Sequence, residues 1–324
     1  MPLAVSARTV TYSPAYTLVP TYECFNRCTY CNFRAEPGNS PWLSLTAARE
    51  KLKALQTQGV IEILVLSGEV HPQSPRRTSW LQQIYEICRL ALEMGFLPHT
   101  NAGPLSLAEM AQLKQVNVSM GLMLEQLTPT LQTAVHRHAP SKLPALRLQQ
   151  LVQAGKLKIP FTTGLLLGIG ETAIDRQETL QAIAQVHRQY GHIQEVILQP
   201  YHPGSQETFA GTAFGGQDLI ELVAIARELL PPEITIQIPP NLVSVPELIA
   251  CLKAGARDLG GIGPLDEVNP DYPHPDHVDL TQQLGIHGWQ LTPRLPVYPQ
   301  YDKWLPDALQ RAVESSRQQL KDRA

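Results

Sequence analysis

The sequence predicts an α/β fold, a (β/α)8 TIM-like barrel, and three observations carry that prediction. Short β-rich runs alternate with helical segments over most of the 324 residues, eight such runs can be counted, and several are near-continuous apolar stretches. Strands of that kind are buried on both faces, as in a parallel sheet wrapped by helices. Two average domains would also fit the length, but single α/β barrels routinely run this long. One barrel domain is expected over 1–324, with the segment from about 266 to 324 capping it.

Taken in order, strands are expected at 16–22 (YTLVPTY), 61–67 (IEILVLS), 95–100 (GFLPHT), 116–124 (VNVSMGLML), 158–168 (KIPFTTGLLLG), 193–201 (IQEVILQPY), 233–239 (EITIQIP) and 256–263 (ARDLGGIG). After the first strand, Ser44 is a candidate N-cap. Leu45, Ala48, Leu52 and Leu55 then share one helical face, and Gly59 stands where a terminating glycine belongs. Trp80, Ile84, Ile87, Cys88 and Ala91 line a second stripe that ends at Gly95. Ser106 with Glu109 reads as a capping box. Helices at 217–230 and 246–255 continue the alternation, and the tail is proline-rich, then helical from about 303.

Composition narrows the function. With 43% apolar residues the chain can build a substantial core, and 26 basic against 29 acidic residues leave a net charge of −3. No global positive field argues for nucleic acid. No stretch approaches the roughly 18 apolar residues of a membrane span, and the N-terminus lacks the basic head and apolar run of a secretory signal. Five cysteines, three of them bunched together, suit a reducing compartment better than a disulfide framework. A cytoplasmic location is expected.

The bunched cysteines are Cys24, Cys28 and Cys31, in ECFNRCTYCNF (23–33), where the first strand stops. In a barrel, chemistry sits at that end of the strands. A structural zinc site takes four ligands, and a ferredoxin-type carrier also supplies four thiolates. The other two thiols, Cys88 and Cys251, lie far along the chain on apolar helix faces and read as small buried residues. One of the ten histidines could complete either site. The remaining option is a [4Fe-4S] cluster held at three irons, with the fourth open to a small molecule.

That pattern resembles the radical S-adenosylmethionine (SAM) superfamily, whose signature Cys24, Cys28, Tyr30 and Cys31 match. SGE at 67–69 is similar to the family's GGE motif, with Ser67 replacing the first glycine. GLLLGIGE at 164–171 is similar to the fifth-strand motif that packs against adenine. The resemblance implies two cofactors, a [4Fe-4S] cluster on Cys24, Cys28 and Cys31 and S-adenosyl-L-methionine. Gly68 and Glu69 would hold the methionyl ammonium and Arg147 the carboxylate. Glu125 would stand at the active face, with Gly168, Glu171 and the Tyr30 backbone near adenine. A solvated helix arginine and a structural ion pair are the plain alternatives for Arg147 and Glu125.

Within the superfamily, nearly the whole chain resembles the CofG-type subunits of deazaflavin synthases. The stretches concerned are CFNRCTYCNF, LPHTNAGPL, GLMLE, KIPFTTGLLLGIGET, YGHIQEVILQPY and DLGGIGPLDEVNP. LQPYHPGS departs from the asparagine-aromatic pair expected there. The likeness implies a radical SAM lyase that forms 7,8-didemethyl-8-hydroxy-5-deazariboflavin from 5-amino-5-(4-hydroxybenzyl)-6-(D-ribitylimino)-5,6-dihydrouracil. It also implies a CofH-type synthase subunit as partner and an external one-electron donor such as ferredoxin or flavodoxin. Candidate substrate contacts are His99, Asn101, Gln199 and Asp258. The alternatives are the CofH-type subunit itself, which joins a tyrosine-derived hydroxybenzyl group to 5-amino-6-(D-ribitylamino)uracil, and other single-cluster barrels of the hydrogenase-maturase or methylornithine-synthase kind. Outside enzymes stand an electron carrier and a zinc-stapled binding module.

Overall fold

The computed structural model describes residues 8–323. Eight parallel strands close a barrel: β1 (Arg8–Leu18), β2 (Glu62–Leu66), β3 (Leu97–Asn101), β4 (Ser119–Gly121), β5 (Phe161–Leu167), β6 (Ile193–Pro200), β7 (Thr235–Gln237) and β8 (Asp258–Ile262). Each neighbours the next, and the ring closes because β1 pairs with both β8 and β2. A ninth strand, β9 (Trp289–Pro293), runs parallel to the first five residues of β1. The expected fold class is the observed one.

The helices form the outer layer: α1 (Leu45–Leu55), α2 (Arg77–Glu93), α3 (Leu107–Leu113), α4 (Pro144–Lys156), α5 (Ala173–Tyr190), α6 (Gln217–Leu229), α7 (Val245–Ala254), α8 (His277–Ile286) and α9 (Asp307–Arg323). Ser44 caps α1 by accepting from Ala47 N, and the expected stripe is buried except at Leu45, which sits exposed on the first turn. On α2 all five residues of the expected stripe are buried. The Ser106–Glu109 capping box forms. Cys88 and Cys251 are fully buried and unbridged, as small apolar residues are.

Four elements differ from expectation. β1 begins at Arg8, eight residues before the expected start, and ends at Leu18. Pro14 breaks the alternation there, but its carbonyl accepts from Ile61 N, so the ladder continues through it. In the tail, α8 and β9 precede the final helix. α8 leaves Val278 and Ile286 exposed, so its sequence shows no apolar stripe, and its start is instead set by Asp276 accepting from Val278 N and Asp279 N. The last helix starts at Asp307 because a short 3-10 turn, Pro299–Trp304, comes first.

The tail reaches both ends of the barrel. Residues 266–272 lie over the C-terminal ends of the strands, where Glu267 takes the Tyr22 hydroxyl proton bond at 2.7 Å. Past β9 the chain closes the other end. Leu295, Val297, Tyr301, Leu305, Leu309 and Val313 pack against Ile61, Leu97 and Val118, which begin or precede β2, β3 and β4. Pro296 O accepts from Ser119 Oγ and Gln194 Nε2, pinning the plug to β4 and β6. No described helix is long and apolar enough to cross a membrane.

Candidate active site

The loop leaving β1 is fixed by backbone bonds to the loops around it. Cys24 N donates to Ala35 O, Phe25 N to Glu69 O, Arg27 N to His138 O and Thr29 N to Val135 O. These bonds turn Cys24, Cys28 and Cys31 onto one wall of a cavity of about 310 Å³ at the C-terminal face. All three thiols are unbridged. Burial first, then the neighbouring Glu69 carboxylate, pushes the Cys24 thiol up to about 11, and burial pushes Cys28 up to about 12. Asn26 Nδ2 donates weakly to Cys24 Sγ at 3.8 Å.

Beside the cysteine loop, on the turn after β2, stands Glu69. Gly68 lets the chain turn there because a Cβ on it would lie 2.2 Å from the Glu23 carbonyl oxygen. Gly103, at φ +74°, leaves room for the Glu69 side chain itself. The Glu69 carboxylate accepts from Asn26 Nδ2 at 2.9 Å, from Ser141 Oγ, and from Arg147 Nη2 at 3.2 Å. Ser67 is accommodated because its hydroxyl accepts from the Trp80 indole at 2.9 Å and donates to Gly68 O.

Arg147, on α4, is 2% exposed, so it is not a solvated helix arginine. Its Nε donates to Ser141 O at 3.0 Å and Nη1 to Met123 O. Glu125 follows β4 with φ +64°, a left-handed conformation uncommon for a non-glycine residue. It is ion-paired with Lys142 and lies 4.0 Å from Arg147. Burial would raise its carboxyl, but the two cations outweigh that and hold it below the usual range. Tyr30 donates or accepts at 2.9 Å with His136 Nε2, and burial lowers His136 to about 4.

Gly168 and Glu171 are not part of the cavity lining. The Glu171 carboxylate accepts from Gly168 N at 2.7 Å, Ile169 N at 2.9 Å and Arg176 Nε at 2.7 Å, so it braces the β5–α5 turn from behind. Asn101 and Gln199 line this cavity and a second, deeper one, while His99 lines the deeper one alone. Asp258 corrects the sequence reading. It is the first residue of β8, at the opposite end of the strand, and both its oxygens accept from Arg294 at 2.6 and 2.8 Å. Fully buried and paired, it is removed from the cysteine face.

Sequence reasoning missed Asn26, Ser141 and Lys142. Asn26 lay in view inside the cysteine loop. Ser141 and Lys142 sit on an irregular 3-10 turn, Pro140–Lys142, where no periodicity marks a residue.

Residues 18–183 match the Radical SAM superfamily. The 7,8-didemethyl-8-hydroxy-5-deazariboflavin synthase of Trichormus variabilis is 66% identical over 95% of this chain and 91% of its own. The protein of that name from Trichodesmium erythraeum is 62% identical over 97% of this chain and 99% of its own. Among solved structures, the FeFe-hydrogenase maturase HydG from Carboxydothermus hydrogenoformans shares the fold at a TM-score of 0.74 and 19% identity, over 97% of this chain and 77% of that one. The chain belongs to the Radical SAM superfamily and, within it, to the family of these deazariboflavin synthases.

That family implies a [4Fe-4S] cluster and SAM. The donor set fits such a group: three free thiols share one wall, and among the described residues no three His, Cys, Asp or Glu side chains converge closely enough to hold a single ion. Thiolates on separate irons need no such convergence. Burial raises the Cys24 and Cys28 thiols, so binding them as thiolates would release protons.

Proposed function

We propose that the chain is the CofG-type subunit, a radical SAM lyase converting 5-amino-5-(4-hydroxybenzyl)-6-(D-ribitylimino)-5,6-dihydrouracil to 7,8-didemethyl-8-hydroxy-5-deazariboflavin. The observation that carries it is that three free thiols and the Glu69–Arg147 pair line one cavity, in a chain about two-thirds identical to synthases of that product. Cys24, Cys28 and Cys31 would ligate the cluster. When bound, cluster and SAM supply one-electron cleavage of the sulfonium C–S bond and a 5′-deoxyadenosyl radical that abstracts substrate hydrogen. Cyclisation, loss of ammonia, and loss of one further electron and a proton complete the reaction, and the cluster oxidised in the cleavage would be the acceptor for that electron.

The chain's residues bind and orient. Glu69, already hydrogen-bonded to Asn26 and Ser141, offers negative charge to the methionyl ammonium. Arg147 and Lys142 supply positive charge for its carboxylate, with Glu125 setting the position of Lys142. Tyr30 and Leu166 line the same space, and Gly168 with Glu171 shape the turn beside it. The loops after β6 and β8 lie at the mouth of this space. Asn32 Nδ2 and Ser205 N both donate to Asp271, and Asn32 Oδ1 accepts from Gln206 N at 2.7 Å. A CofH-type subunit would supply the adduct, and ferredoxin or flavodoxin the electron.

Anaerobic reconstitution with the hydroxybenzyl adduct and SAM tests the reading. The expected result is a fluorescent deazaflavin formed together with deoxyadenosine. Deoxyadenosine without deazaflavin, together with turnover of tyrosine and the ribitylaminouracil, would instead identify the CofH-type activity.

A further inference from the structure

Barrels of this class normally fill their interior with layers of bulky branched side chains. Here the interior keeps an open space whose lining includes small residues: Ala15 on β1, Gly121 on β4, Gly261 on β8 and Gly263 just after it. That space is a second chamber of about 180 Å³ that runs from Glu62, Glu195 and Arg294 at the floor up to Asn241, Asp266 and Asn269 in the loops after β7 and β8. Leu64, Asn101, Met123 and Gln199 line both it and the upper cavity, so the two are continuous.

Toward its floor the chamber is lined by side chains that can accept hydrogen bonds. Glu62 is 8% exposed and lines it, as do Thr162, Glu195 and Gln237. His99 adds another. Ser119 Oγ donates to Pro296 O at 2.6 Å, so it must accept from His99 Nδ1–H at 2.7 Å, which leaves Nε2 with its lone pair. The cation at the floor is already engaged. Arg294 Nε and Nη2 donate to Asp258, Nη2 also to Glu195, and Nη1 to Leu295 O. Glu195 is committed as well, accepting from Arg294 Nη2, from Tyr298 OH at 3.1 Å and from Thr162 Oγ1 at 2.9 Å, while burial raises the Glu62 carboxyl. A ligand carboxylate or phosphate finds no uncommitted cation there among the described residues, whereas a neutral chain of hydroxyl donors meets several acceptors.

Resting on the deazaflavin reading above, we propose that this deep chamber is the polyol subsite. It would take the ribityl chain of substrate and product, with Glu62, His99 and Gln237 as acceptors, so that the aromatic end stands upward beside the cysteines. This also accounts for Asn101 and Gln199, which stand at the junction where a uracil ring would lie.

The test is fluorescence titration of the anaerobically reconstituted full-length protein with two chromophores: 7,8-didemethyl-8-hydroxy-5-deazariboflavin and its counterpart bearing a methyl group in place of the ribityl chain. The expected result is at least about 10-fold tighter binding of the ribityl form, as one or two net hydrogen bonds would give. Glu62→Leu and Gln237→Leu, on separate strands, should each move that ratio toward one by weakening the ribityl form alone, with the methyl form reporting that the variant is folded. Equal binding of both chromophores by the unaltered protein, or a full ratio retained in both variants, overturns the subsite while leaving the proposed reaction standing. Failure of the unaltered protein to bind either chromophore removes the deazaflavin reading, and the subsite with it.

Discussion

Cys28 is the most enclosed of the three loop cysteines, and its contribution is chemical rather than packing. Cys28→Ala is expected to abolish iron and sulfide loading and deoxyadenosine formation together, read by metal analysis and chromatography. Normal deoxyadenosine output from that variant would refute the ligand assignment. Gly68 acts through space. Gly68→Ala drives a methyl group into the Glu23 backbone, which cannot swing aside as a side chain could. A destabilisation of about 1–3 kcal/mol is expected from overpacking, measured as a shift in urea midpoint, together with weaker SAM binding because Glu69 is carried on the same turn. At this scale the sequence was informative: the cysteines, Glu69 and Arg147 lie on one cavity. Asp258 was not legible, because a residue at either end of a short strand reads alike until the strand's direction and partners are known.

Among the elements, the β5–α5 turn and the covering loops behave differently. Glu171 is enclosed and accepts from two backbone N–H groups and Arg176. Glu171→Gln keeps the shape but discards the charge, and is expected to cost about 1.5–3 kcal/mol, the scale of hydrogen bonds to a charged acceptor, read as a lowered urea midpoint. The cover loops rest on Asp271, a surface carboxylate whose value is lowered chiefly by the Ser205 backbone N–H. Its ordering effect is therefore present above the ordinary aspartate range and lost as the pH falls through its lowered value. Asp271→Ala should raise amide hydrogen exchange over 203–214 with little change in melting temperature. Strand order was legible from apolar runs, but α8 was not, since a helix with exposed Val278 and Ile286 carries no stripe.

For the whole molecule, the barrel floor concentrates ionisable groups around one guanidinium. Glu195 is raised to about 7, by burial first, so the folded state holds a proton that the unfolded state has released above its ordinary value of 4.5. The sign follows directly: its contribution is fully present below about 4.5 and is lost as pH rises through about 7. Urea unfolding across pH 5–7.5 should show a decline in stability with rising pH that Glu195→Gln flattens. An unchanged slope would mean that Glu195 is ionised throughout.

By itself the sequence determined the alternating α/β architecture, the cysteine loop at the end of the first strand, and the acidic turn after the second. Each of these depends on neighbours close in the chain: periodicity, capping and ligand spacing are local properties. Only the tertiary structure decided that Lys142 and Ser141 join Glu69 and Glu125, that Asp258 belongs to the floor with Arg294, and that the barrel is hollow above it. Those outcomes depend on residues from separate elements meeting where water is excluded. There, charge pairing and the volume left by small side chains are set by three-dimensional proximity, which no window along the sequence contains.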